Sequence, residues 1–273
     1  MTPSKPVSNS VGKNSTAVDP DLNHNDPLFV AAVARSVRVL EAFAGRRDAL
    51  GVTELGQLTG LGKSAAQRFV HTWEQLGYLS QESGSRRYRL AHKVLELGYS
   101  YLRSDVLISA ATPHLVALRD RCGLAVNLSV LAGQEMLYVL RLPSRQNTLS
   151  EMLPGRRMPA WANSSGRMLL TQFDDDGVRD ILRRIPPRAM TNKTTLDIDE
   201  LVAQIGQARS LGYSIAEEQV HLNQIGAAVL LHDDAQRPIA AISLATALSD
   251  YPRKRVISDL VPQLLKTASA IAS

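Results

Sequence analysis

The chain has a single cysteine, Cys122, in 273 residues, which excludes an internal disulfide framework and a zinc site built on thiolates. It lacks any run approaching the roughly 20 apolar residues that a membrane span needs. Its opening residues, MTPSKPVSNSVGKNSTAVDPDLNHND, have no apolar centre of the signal-peptide kind. The expectation is a cytoplasmic protein. The motifs of several enzyme classes are missing too. His24, His71, His92, His114, His221 and His232 show no metal-ligand spacing such as H-E-x-x-H. Gly166 and its neighbouring serines do not make a Gly-x-Ser-x-Gly elbow, and there is no Walker or dinucleotide loop. Glu217 and Glu218 are adjacent, so on a strand they face opposite sides and cannot form a paired-acid site. No enzymatic activity, cofactor or metal is expected.

What the chain does have is enough apolar residue, 44%, to build real cores, and a length comfortable for two domains. Its net charge of +5 is unevenly spread: residues 30–105 carry a net +4, against +2 over the longer stretch 106–273. Positive charge concentrated in the first third fits a surface that meets phosphates.

Residues 1–28 are rich in Ser, Asn, Pro and Asp without periodicity, and are expected to be a disordered tail. A helix follows, with Val33, Val37, Leu40 and Phe43 at spacings of three and four. After a turn at Gly45–Gly51 come a short helix, Val52–Thr59, the tight turn Gly60-Leu61-Gly62, and a third helix at about Ser64–Leu76. The period then changes: residues 78–81 and 86–90 read as a β-hairpin around a polar turn. Three helices and a hairpin predict a winged helix-turn-helix over residues 29–91. A further amphipathic helix from His92 to about Ser104 is expected to link two domains, with the linker ending at 107.

Residues 108–273 mix both periods. Helices are expected at about Ala110–Cys122, Asn163–Phe173, Gly177–Arg184, Ile198–Leu211 and Arg253–Ile271. Strands are expected at Ala125–Leu131, Glu135–Arg141, Tyr213–Glu217, Ile225–His232 and Pro238–Ala245. Hairpins flanked by helices predict an α+β sensor-type domain with an antiparallel sheet.

A helix that reads DNA presents polar side chains near its N-terminus while its other face packs on the preceding helix. In the third helix that set is Lys63, Ser64, Gln67, Arg68 and His71. Arg68 suits a guanine or a phosphate, and Gln67 suits adenine; Ser64 and Gln67 also fit a capping box serving only the helix itself. Arg86 and Arg87 at the hairpin tip suit phosphates or the minor groove, or are merely solvated.

Val37–Phe43, Gly60–Arg68, Gly155–Leu170, Leu211–Glu218 and Ile239–Leu244, in this order of elements, resemble the isocitrate lyase regulator (IclR) family over residues 28–272. The resemblance implies a winged-helix domain, a linker helix and a GAF-like effector domain, working as a homodimer or dimer of dimers on palindromic double-stranded operators. It adds Arg35 and Thr53 to the DNA-facing set. It further implies a small organic acid effector, one branch of the family handling aromatic acids. The candidate effector-binding set is Ser129, Arg141, Met158, Trp161, Asn163, Ser164, Ser165, Gly226, Ser243 and Ala245.

That set has a physical basis. A helix beginning near Asn163 exposes unpaired N–H groups to an anion, although Asn163 and Ser164 are equally ordinary N-caps. Arg141, Arg156 and Arg157 carry the guanidinium fork that matches a carboxylate. Trp161 stands where relatives often carry His, and Arg167 where they carry Lys. Gly226, Ala245 and Ala216 stand where some carry Cys, Ser and Asp. A less polar, roomier pocket with Trp161 as a stacking face predicts an aromatic carboxylate rather than a small keto acid; a plain core role for Trp161 is the alternative. Two other classes remain open: a hydrolase on a sensor fold, for which no titratable dyad is evident, and a constitutive DNA-binding protein whose second domain only oligomerises.

Overall fold

A computed structural model describes residues 26–144 and 153–271; the tail expected at 1–28 lies outside the described residues except for Asp26, Pro27 and Leu28. Two compact units divide between Tyr101 and Leu102.

In the N-terminal unit, α1 (Ala31–Glu41), α2 (Val52–Thr59) and α3 (Lys63–Gln75) enclose a core of Val39, Phe43, Leu55, Val70 and Leu79. The apolar residues recur every three or four positions, so each helix has one stripe to bury and the three stripes meet. Trp73 ties α3 to α1: its indole N–H donates to the Ser36 carbonyl at 2.9 Å, and its ring meets Tyr78 edge-on. The hairpin of β2 (Leu79–Gln81) and β3 (Arg87–Leu90) gains a third strand, β1 (Leu50–Gly51), paired to β3. Two residues are too few to show alternation, which is why this strand is silent in the sequence.

The helix expected from His92 to about Ser104 is present with those bounds to within a residue. α4 (Lys93–Ser104) is followed at once by α5 (Val106–Cys122), which starts four residues before the predicted Ala110. Asp105 sets the break, its carboxylate accepting from the Ile108 amide at 2.9 Å as the N-cap of α5.

The C-terminal unit is α+β. Its six-stranded antiparallel sheet runs β6-β5-β4-β9-β8-β7, with β4 Ala125–Ala132, β5 Glu135–Leu142, β6 Arg157–Pro159, β7 Ser214–Glu217, β8 Gln224–His232 and β9 Pro238–Ala247. Alternation sorts the side chains to two faces. Ile225, Ala227, Val229 and Leu231 of β8, with Ala240, Ile242 and Leu244 of β9, pack on α5 and the C-terminal helix (Val261–Ile271). The opposite face carries Ala228 and Ala241 against α6 (Ser164–Leu170), α7 (Asp175–Arg184) and α8 (Ile198–Leu211). No helix among the described residues is long and apolar enough to cross a membrane.

Candidate functional site

On α3 the polar face is free. Lys63, Ser64, Gln67, Arg68 and His71 are exposed, and neither Lys63 nor Arg68 forms an ion pair among the described residues. The N-cap of α3 is Gly62, so Ser64 lies inside the helix and the capping-box reading of Ser64 and Gln67 does not hold. That correction returns both side chains to the exposed face. Thr53 is exposed in the first turn of α2; Arg35, on α1, folds its guanidinium back on the Ala31 carbonyl at 3.2 Å. Arg86 is exposed at the hairpin tip, whereas the half-exposed Arg87 is engaged within the unit. Its guanidinium donates to the Ala49 carbonyl and pairs with Glu54 at 2.9 Å, holding β1 and the start of α2 together. Strand alternation sends Arg87 to the face opposite Tyr88, which packs on the core, so its guanidinium stays half exposed while it makes these two contacts. Glu54 caps α2 from the third position by accepting from the Gly51 amide at 2.8 Å. That bond, aided by Arg87, holds its carboxyl below the ordinary carboxylate range.

In the C-terminal unit the sheet's second face opens into a cavity of about 690 Å³ beside the start of α6. Its floor follows from strand register. Ala125 pairs with Ala245, Ala245 with Gly226 and Gly226 with Ala216, so four small residues make one row. The next row brings Arg141, Asn127 and Ser243 side by side. A row of small side chains leaves room above the sheet, and the neighbouring polar row supplies one wall. Gly226 allows this closeness: a β-carbon there would stand 3.0 Å from the Ser164 hydroxyl, which would have to give way slightly.

Arg141, Met158, Asn163, Ser164, Ser165, Gly226, Ser243 and Ala245 of the predicted set line this cavity together. Arg141 lies 4.2 Å over the Tyr138 ring and donates to the Asn127 amide oxygen at 3.1 Å. Arg156 stands exposed at the rim and makes no ion pair among the described residues. Burial pushes the Tyr138 phenol up from its ordinary value, against the opposing pull of Arg141 and Arg156, so it stays protonated. Its oxygen accepts from the Asn163 side chain at 3.2 Å.

Three sequence expectations need correction. Trp161 offers no stacking face: it is 1% exposed, sits in the core under α7 and α8, and its indole N–H donates to the Ile185 carbonyl. Ser129 does not line the cavity. Its hydroxyl is fully buried with no hydrogen-bond partner among the described residues; it shares a face with Asn127 but lies one position further along that face, opposite Ala241, where the helices cover the sheet. Arg157 points elsewhere, paired with Glu135 at 2.9 Å and bonded to the Ala132 carbonyl. The helix start is also less open than expected, since the Asn163 side chain already accepts from the Gly166 amide at 2.9 Å.

The sequence reading passed over Asn127, Tyr138, Gln219, Val220 and His221, all of which line the cavity. Asn127 and Tyr138 carried a faint signal, as polar interruptions of apolar strands; the wall from Gln219 to Asn223 is irregular and carried none. No cluster of three or more metal-ligating side chains occurs among the described residues.

Known proteins match across both units. The model of the IclR helix-turn-helix domain matches residues 32–83, and that of the bacterial transcriptional regulator IclR C-terminal domain matches residues 99–273. The chain is 32% identical over 241 residues to the Pca regulon regulatory protein of Pseudomonas putida, covering 88% of this chain and 82% of that one. An IclR family transcriptional regulator from Brucella abortus superposes with a TM-score of 0.76 at 27% identity, over 89% of this chain and 92% of the other. An IclR homologue from Microbacterium hydrocarbonoxydans, solved in complex with 4-hydroxybenzoate, does so with a TM-score of 0.72 at 27% identity, over 88% of this chain and 97% of its own.

Proposed function

The chain belongs to the IclR family of bacterial transcriptional regulators, and from that premise we propose that its operator affinity is set by an aromatic carboxylic acid held in the C-terminal cavity. The observation that carries this reading is the row Ala125–Ala245–Gly226–Ala216 beneath a wall of Arg141, Asn127 and Tyr138. The small-residue floor admits a ring, and a carboxylate on that ring would meet the positive charge of Arg141 on the neighbouring row. Arg156 at the rim adds a second positive charge. The names of the Pca regulon regulator and of the 4-hydroxybenzoate complex support an aromatic ligand over a small keto acid.

α3 is the reading helix under this proposal, with Arg68 and Lys63 toward the duplex and Arg86 on the flanking backbone. Self-association on a palindromic site accords with the apolar side chains that α4 exposes, Leu95 at 74% and Leu97 at 60%.

Calorimetry with benzoate, 4-hydroxybenzoate, glyoxylate and pyruvate tests the ligand class. The benzoate-type acids are expected to bind and the keto acids to bind far more weakly. Arg141→Met should weaken the aromatic acids by about tenfold to a hundredfold, the range for a charge-assisted bond. Tight binding of glyoxylate or pyruvate with none of the benzoates contradicts the reading.

A further inference from the structure

Arg167 lies in the middle of α6 with only 3% of its surface exposed. Its guanidinium has no carboxylate within ion-pairing distance among the described residues and is bonded instead to three neutral oxygens on three separate segments. Nε donates to the Trp161 carbonyl at 2.8 Å, Nη1 to the Gln204 side chain of α8 at 2.6 Å, and Nη2 to the Gln219 side chain at 2.7 Å. The nearest acid, Glu200, is reached only through Gln204, whose amide donates to it at 2.9 Å. Desolvation lowers the guanidinium pKa to about 10, opposed by Glu200, so the charge persists at neutral pH. A buried cation without a counter-ion is costly to maintain, and three diverging acceptors match the guanidinium fork in a way a single ammonium does not.

Gln219 is the unusual partner. Its oxygen accepts from Arg167 and from the Thr195 amide at 2.9 Å. Its nitrogen donates to the carbonyls of Lys193 at 3.0 Å and Glu217 at 3.1 Å. A primary amide has two acceptor sites and two donors, so every one is engaged. Gln219 lines the cavity yet has nothing left to offer a ligand. On either side of it the backbone takes positive φ at non-glycine residues, Glu218 at 53° and Asn223 at 57°. Such conformations persist only where their surroundings hold them.

We propose that Arg167 is a positioning residue for the effector cavity, acting through Gln219 to fix the wall at residues 217–223, and that Gln219 is a keystone of that wall rather than a ligand contact. The affinity arm of the test rests on the effector reading above; the structural arm does not. Hydrogen exchange is measured on the full chain without ligand, comparing wild type with Arg167→Met and Gln219→Leu. Both variants should speed exchange about tenfold or more at residues 191–195 and 217–224, and leave the β4–β5 hairpin unchanged. Calorimetry with 4-hydroxybenzoate, at a temperature where every variant is fully folded, should show each variant weakened about tenfold or more. The double variant should bind no worse than Arg167→Met alone, because the two residues act as one unit.

Unchanged local exchange overturns the proposal, as does acceleration spread evenly over the whole C-terminal unit or strictly additive losses in affinity. Should Arg167→Met fail to fold, Gln219→Leu decides alone, and wild-type exchange at 191–195 in that variant refutes the keystone. If wild type binds no aromatic acid, the effector reading fails while the exchange experiment still decides what holds the wall.

Discussion

Gly166→Ala is expected to destabilise the C-terminal unit by about 3 kcal/mol or more, at or beyond the upper range for overpacking. A β-carbon built on Gly166 stands 2.1 Å from the Ala160 carbonyl oxygen and 2.6 Å from its carbonyl carbon and Cα. All three are backbone atoms and cannot rotate aside. α6 must therefore move off the turn that precedes it, or the turn must open. Both carry cavity residues: Ser164 and Ser165 lie in the first turn of α6, and Ala162 and Asn163 lie in the turn. Scanning calorimetry should show a melting transition lowered by roughly 6 °C or more, at 2–4 °C per kcal/mol for a unit of this size, with the α1–α3 core unaffected. A melt indistinguishable from wild type would mean that α6 does not approach Ala160 this closely.

Arg68→Ala is expected to weaken operator binding by about tenfold to a hundredfold, the range of 1–3 kcal/mol for a base-reading arginine. The side chain is exposed on α3 and makes no ion pair among the described residues, so its removal costs the fold little. Competition against a scrambled duplex distinguishes its two possible partners. A guanine contact loses affinity for the operator alone, whereas a phosphate contact weakens both duplexes and lowers the salt slope by about one. Aromatic-acid binding should be unchanged. Loss of acid binding together with DNA binding would argue against separate reading and sensing units.

Long periodic elements were legible from the residues alone, since apolar stripes and alternating strands are local consequences of helix and strand geometry. What escaped was short or non-local. β1 and β6, at two and three residues, lack room for a pattern. The cavity residues on β4, β8 and β9 were recoverable in part, because alternation assigns Gly226, Ser243 and Ala245 to one face once the strands are placed. Ser129 went astray because alternation gives it the face of Asn127 but does not tell how far along the strand the cavity reaches before helices cover the sheet. Trp161 went astray because its hydrogen-bond partner, Ile185, lies 24 positions downstream in an unpredictable loop. Arg167 and Gln219, 52 positions apart, meet only in the folded unit.

The central claim joins the two units: an aromatic acid in the cavity changes the affinity of α3 for DNA. Fluorescence anisotropy on the protein's own upstream duplex, titrated with and without saturating 4-hydroxybenzoate, tests it most directly. The account predicts an operator Kd shifted by about five- to 150-fold, the usual range for coupling between two sites. It also predicts that Arg141→Met removes the shift while leaving the acid-free Kd at its wild-type value. An operator affinity indifferent to every acid that calorimetry shows to bind would contradict it.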